Sequence, residues 1–279
     1  MSNERPALTV EQINAYAADG YLVLHDWFDA DEVDLLGDEF EKSSAEDSRA
    51  VVREDGSDVV RGVHGTHAGN TVFSRLVRLE RMLQPARQLL DDDVYVHQFK
   101  INAKRALVGD LWEWHQDFQF WRIEDGMREP RAVNFAVFLD DVTEFNGPLM
   151  VVPGSHTGGT LPVVQRSGIH WRDTLAARLK YEITPDTLRT AVRDRGLVAP
   201  KGTRGTVLIF HCNILHGSAP NMSAEDRRVL LVSYNSARNT LAPLADPRPE
   251  FLASHDFTPL TALPDDSLRA LCEVSRDAR

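Results

Sequence analysis

Three residues have the types and spacing of a metal-ligand set. His115 and Asp117 form a His-x-Asp triplet within Trp112-Glu113-Trp114-His115-Gln116-Asp117, and His216 follows 101 residues later. If this stretch is a strand, positions i and i+2 share a face, so the His115 imidazole and the Asp117 carboxylate can grip one ion. Two imidazoles and one carboxylate make the facial set that holds divalent iron and leaves coordination positions open. A chelating 2-oxoacid and O2 would suit those positions. Arg227, 11 residues after His216, could meet the distal carboxylate of such a co-substrate with a planar two-point fork that lysine lacks. The same donors also suit zinc and hydrolysis, although no general base lies nearby and Arg227 would then go unused. A third reading is a metal-free β-barrel binding protein in which these groups form a polar core.

Those residues need rigid elements to hold them. The first ninety residues read as helical: Thr9 can cap a helix from Val10, with Gln12 completing a capping box, and Asp29 or Asp31 can cap a second. A third helix is expected over 72–90, where Leu76, Leu79, Leu83 and Leu90 recur near a 3.6 period. Between the second and third, residues 43–70 are polar and Gly-bearing, which predicts a mobile loop or lid. From Asp93 the pattern changes to alternation, in 94–101, 132–139 and 229–234, with a more buried run at 207–210. Polar, helix-prone sequence around 172–181 and 186–195 reads as an insertion between strands. The expectation is an α+β, mainly β protein of one domain over 1–279. It has N-terminal helices (9–92), a β core (93–156 and 205–240) and an insertion (157–204).

Composition narrows the partners. The 279 residues carry 31 Lys+Arg against 42 Asp+Glu, a formal charge of −11, which disfavours nucleic acid and anionic lipid as binding surfaces. Cys212 and Cys272 form no CxxC pair, the N-terminus lacks the layout of a signal peptide, and no apolar run reaches membrane-spanning length. A cytoplasmic monomer or homodimer acting on a small molecule is the expectation.

Taken in order, His115-x-Asp117, Gly147-Pro148-Leu149, Pro153-Gly154-Ser155-His156 and His216-Gly217-Ser218-Ala219-Pro220-Asn221 with Arg227 resemble the phytanoyl-CoA dioxygenase family of Fe(II)/2-oxoglutarate oxygenases. The resemblance spans about residues 10–262. The runs 94–102, 114–121, 124–126 and 248–251 are similar to ectoine hydroxylases and to leucine 5-hydroxylases of peptide natural-product pathways. Around 115–118 and 142–148 the leucine hydroxylases are the nearer match.

This resemblance implies a double-stranded β-helix, the jelly-roll or cupin-like core. It implies oxidative decarboxylation of 2-oxoglutarate coupled to hydroxylation of an unactivated C–H bond, giving succinate and CO2. The metal roles fall on His115, Asp117 and His216, and the co-substrate salt bridge on Arg227, helped by Ser218, Asn102 and Lys104. Fe(II), 2-oxoglutarate and O2 are the implied cofactors, with ascorbate as an aid. Gln98, Trp121, Phe120, Arg122, His67 and Arg61 are the candidate contacts for a zwitterionic substrate. The first guess is an aliphatic amino acid such as leucine, with ectoine or a cyclic amino acid as the alternative. A carboxylate at Asp117 leaves no vacancy for the chloride that related halogenases bind. Two competing assignments lie close by: His211 as the distal ligand, and Arg228 in place of Arg227.

Overall fold

A computed structural model describes residues 7–169, 175 and 178–277. The predicted capping box opens α1 (Val10–Asp19): the Thr9 hydroxyl accepts the Gln12 N–H, and the Gln12 side chain accepts the Thr9 N–H. After β1 (Tyr21–Leu24), the same device at Asp29 and Glu32 starts α2 (Ala30–Ser44).

The expected lid over 43–70 is instead largely a hairpin. β2 (Val51–Arg53) and β3 (Val60–His64) flank a turn at Asp55-Gly56, and valines at 51, 52, 60 and 63 favour strand over loop. Nor is the third helix continuous. α3 (Thr71–Leu76) and α4 (Glu80–Leu90) are parted at Leu79, whose extended backbone bridges to Leu263. Pro85 sits inside α4 and cannot donate to the Arg81 carbonyl four residues back. That carbonyl accepts the indole N–H of Trp27 at 3.3 Å instead.

Next come β4 (Val94–Lys104), β5 (Trp112–His115), the short α5 (Asp117–Phe120) running into a π-turn over Trp121–Asp125, β6 (Ala132–Phe138) and β7 (Leu149–Val151). Residues 157–204 carry a small hairpin, β8 (Val163–Gln165) with β9 (Tyr181–Ile183), and α6 (Pro185–Arg195). The helix expected over 172–181 falls partly on 172–174 and 176–177, outside the described residues, and its end at Tyr181 is strand. β10 (Val207–His211), β11 (His216–Ser218), β12 (Arg227–Ser236) and α7 (Asp266–Asp277) complete the chain.

Two antiparallel sheets face each other. The larger runs β1-β10-β6-β12-β4-β3-β2 and the smaller β5-β11-β7. Alternation assigns the two faces of the large sheet. Val133, Phe135, Val137, Val207, Ile209, Leu230 and Val232 join the core under the helices. Ala136, Phe138, Leu208, Phe210, Val229 and Leu231 point the other way, into the space between the sheets. Both faces are covered, so every residue of β6 is buried. This is the jelly-roll layout.

The expected simple alternation of 94–101 is broken. Ser233 pairs with Gln98 but Tyr234 pairs with Val96, so His97 is a bulge residue. Val96 and Phe99 both face the helices, and His97 and Gln98 are left on the inner side. Among the described residues no helix is long and apolar enough to cross a membrane.

Candidate functional site

β5 and β11 are antiparallel neighbours, and their register places His216 directly across from His115. Cross-strand pairing, with ring centroids 4.1 Å apart, thus joins two residues distant in sequence. Asp117 is not on the strand, as the i, i+2 argument expected. Gln116 is extended, and Asp117 is the first residue of α5, where the chain turns the carboxylate back toward the imidazoles. One ligand atom from each of His115, Asp117 and His216 lies within 4.8 Å of the others. His115 Nε2 is 3.6 Å from Asp117 Oδ1, and His216 Nε2 is 3.8 Å from Asp117 Oδ2.

The far nitrogens fix the tautomers. Nδ1 of His115 lies 2.6 Å from the Glu113 carbonyl and Nδ1 of His216 lies 3.0 Å from that of Ile214, so each Nδ1 donates. Each Nε2 therefore presents its lone pair to the space shared with Asp117. Burial, reinforced by the neighbouring His115 ring, pushes the His216 imidazole down to about 4 and keeps it neutral. Burial alone would raise Asp117, but His216, Lys100 and His115 outweigh it and hold the carboxyl well below its usual range. Two imidazoles with their Nε2 atoms turned inward and an ionised carboxylate fit a divalent transition-metal ion.

A cavity lined by His115 and His216 also reaches Arg227. Its walls include Lys100, Asn102, Trp112, Ser218 and the apolar Val142 and Leu149. Arg227 opens β12 on the inner face; it is buried, and its Nη2 donates to the Gly147 carbonyl at 2.7 Å. Gly147 has φ +70, and a Cβ there would stand 2.4 Å from the Ala219 carbonyl, so only glycine brings that oxygen to Arg227. Burial lowers Arg227 to about 10, which leaves it charged. Arg228, the competing assignment, faces outward and makes a two-point pair with Asp140 at 2.7 and 2.9 Å.

Lys104 and Arg61 stand beside Arg227 without lining the cavity. The Lys104 ammonium donates to the Ala219 carbonyl and is pushed down to about 6, by burial first and then by Arg227 and Arg61. Arg61 is paired with Glu54 at 2.8 Å and lies 4.0 Å above the Trp112 ring.

The remaining candidates are scattered. Phe120 presents its ring edge-on to His115 at 6.2 Å. Trp121 is buried against His97, and Gln98 is committed to the Leu252 carbonyl at 2.8 Å. His67 stacks on Phe99, which belongs to the core under the helices. Arg122 is exposed on the π-turn and does not reach the cavity. His211 accepts the Asn213 N–H at 3.0 Å, and His156 contacts the Ala17 carbonyl at 3.2 Å; neither joins the donor set.

Lys100, Asn134 and Ser233 were not expected. Lys100 shares its face with Gln98 and Asn102, a parity that sequence alone carries, and no described residue hydrogen-bonds its ammonium. Asn134 donates to Asp117 and accepts from Ser233, which no local motif signals.

The comparisons agree with this geometry. The chain is 43% identical over 257 residues to L-proline trans-4-hydroxylase of Streptomyces griseoviridis, covering 91% of this chain and 95% of that protein. It is 37% identical to the ectoine dioxygenase of Sphingopyxis alaskensis, covering 90% and 84%. The crystal structure of EctD from S. alaskensis with 2-oxoglutarate and 5-hydroxyectoine superposes with a TM-score of 0.80 at 34% identity, covering 95% of this chain and 90% of that one. The same protein with bound Fe gives 0.79 at 33% identity, covering the same shares. A family model, phytanoyl-CoA dioxygenase (PhyH), matches residues 16–229. With that match over most of its length, the chain belongs to the phytanoyl-CoA dioxygenase (PhyH) family.

Proposed function

We propose that this protein is an Fe(II)/2-oxoglutarate-dependent dioxygenase that hydroxylates an unactivated C–H bond of a small free amino acid. One observation carries the reading: two imidazoles with fixed tautomers and one carboxylate converge within 4.8 Å at one end of a cavity whose other end is a buried arginine. His115, Asp117 and His216 would hold the iron. Bound there with 2-oxoglutarate and O2, the iron supplies the oxidising power for C–H hydroxylation, with succinate and CO2 as the other products.

The chain's part is to bind, orient and exclude water. Arg227, aligned by the Gly147 carbonyl, would take the distal carboxylate of 2-oxoglutarate by charge-assisted hydrogen bonds, with Ser218 and Asn102 alongside. Arg61 adds positive potential behind it, and Lys104, pushed down to about 6, is mostly an uncharged amine at neutral pH. Val142, Leu149, Val229 and Leu231 keep this end of the cavity dry, which strengthens each polar contact within it. The Lys100 ammonium, facing the cavity near Asp117, suits a further anionic group such as an amino-acid carboxylate.

For the substrate, the relative acting on L-proline favours a cyclic amino acid over leucine. The structural match to the ectoine enzyme makes ectoine the second reading. The protein should be incubated with Fe(II), ascorbate, 2-oxoglutarate and, separately, proline, leucine and ectoine. Succinate and a product heavier by one oxygen atom are expected with proline. Turnover with ectoine alone overturns the amino-acid reading. Full activity in Asp117→Ala overturns the metal assignment.

A further inference from the structure

Asp117 has two oxygens in unlike surroundings. Oδ1 lies 3.6 Å from His115 Nε2, whereas Oδ2, 3.8 Å from His216 Nε2, also accepts a hydrogen bond from Asn134 Nδ2 at 2.9 Å. The other end of that amide, Asn134 Oδ1, accepts from Ser233 Oγ at 2.6 Å. Asn134 on β6 and Ser233 on β12 are cross-strand partners, each 1% exposed. They sit on the face whose neighbouring positions are Ala136, Phe138, Val229 and Leu231. Polar side chains in such a place cost free energy unless every group is paired, and here the pairing runs in one direction only. If the Asn134 amide were flipped, its carbonyl oxygen would oppose the Asp117 carboxylate. The acceptor-only carboxylate therefore sets the amide's direction, and the Ser233 hydroxyl, able to donate or accept, holds it by donating to Asn134 Oδ1.

We propose that Asn134, held in place by Ser233, is a positioning residue that occupies Asp117 Oδ2 and so offers the metal Oδ1 alone. A free carboxylate can close on an ion with both oxygens and fill a position that the reaction needs open. The Ser233–Asn134 chain removes that option by hydrogen bonding, and it anchors the carboxylate, which follows the small sheet, to the large one. This inference rests on the proposed iron site.

The test uses Co(II) as a spectroscopic probe, titrated into metal-free wild type, Asn134→Leu, Ser233→Ala and Asp117→Ala. The visible ligand-field spectrum is recorded with thermal unfolding of each metal-free protein. Asn134→Leu is expected to weaken Co(II) binding about 10–100-fold, the range for losing an outer partner of a ligand, and to change the ligand-field bands. Ser233→Ala should move both readouts the same way by a smaller factor. Wild-type affinity and spectrum in both variants overturn the proposal. If Asn134→Leu shows no cooperative unfolding, Ser233→Ala decides alone, and an unchanged spectrum there overturns it. If wild type and Asp117→Ala bind Co(II) equally, the iron site itself is wrong, a failure distinct from equal binding by wild type and Asn134→Leu.

Discussion

At one end of the cavity, His115, Asp117 and His216 stand within 4.8 Å of one another on and beside the three-stranded sheet. At the other stands Arg227, with Arg61 and Lys104 behind it outside the cavity wall; the three come from β12, β3 and β4, adjacent strands of the seven-stranded sheet. The metal end is assembled from two imidazole rings and one anion, each oriented by a carbonyl or an amide. The cationic end crowds basic groups into a buried place, where Lys104 is pushed down to about 6 and, among the described residues, only Glu54 forms a direct ion pair, to Arg61. One end is poised to take up a cation and the other an anion, and each is an incomplete electrostatic assembly by itself. An anionic protein surface says nothing about either.

Removing a donor should break the metal end outright. Asp117→Ala or His216→Ala is expected to weaken divalent-metal binding on the order of 100-fold or more, measured by Co(II) titration. The cationic end should lose less. Arg227→Leu removes charge-assisted hydrogen bonds and should cost about 3 kcal/mol, roughly a hundredfold in the KM for 2-oxoglutarate, with Arg227→Lys in between. If both variants leave that KM unchanged, the co-substrate does not reach Arg227.

Acid should expose the metal end. The folded metal-free protein holds His216 near 4, and His67 and His211 are likewise pushed down to about 4 by burial. An unfolded histidine titrates at about 6.5. Between those values the unfolded chain binds more protons, so stability falls as pH drops through that window. The unfolding midpoint of metal-free protein should decline over that range, and a flat profile would contradict the buried neutral rings.

Lys104 works over a higher window. Its folded value of about 6 lies below the usual lysine value of about 10.4, so the unfolded chain again holds more protons between the two. The penalty is complete below 6 and fades as pH rises. Lys104→Met should flatten the rise in stability across that range, and an unchanged slope would mean that the amine is not desolvated. Arg166→Ala should have the smallest effect. Its pairs to Glu113 and Glu182 are about a quarter exposed or more on each side, which limits the cost to under about 1 kcal/mol in unfolding free energy.

The two ends also differ in how far the sequence reveals them. His115, Asp117 and His216 could be read from residue type and motif order, because metal chemistry admits few donors. Their geometry could not, since the Asp117 carboxylate arrives by a strand-to-helix turn and His216 by a register that no local pattern specifies. Helix starts were legible where a cap announces itself, as at Thr9 and Asp29, but the break at Leu79 depends on a distant partner, Leu263. Alternation put Gln98 and Asn102 on one face and should also have singled out Lys100. It has no bearing on His67, Trp121 and Arg122, whose facing is set by a 3-10 turn and a π-turn rather than by strand parity. The Ser233–Asn134 chain was invisible because cross-strand partners 99 residues apart leave no local trace.

The bulge at His97 separates the bookkeeping of chain length from that of the core. With His97 present, Val94 and Val96 keep their places under the helices while His97 and Gln98 both turn inward, toward Asp125 and Leu252. Deleting His97 would restore plain alternation and remove one inward side chain, while Val94, Val96 and Phe99 stay under the helices and Tyr95 stays on the inner side. The inner wall of such a barrel can therefore diverge by gaining or losing one residue in a strand, with the helix-facing core held constant. Lineages related by this kind of indel could differ abruptly in what they admit while remaining nearly superimposable in backbone.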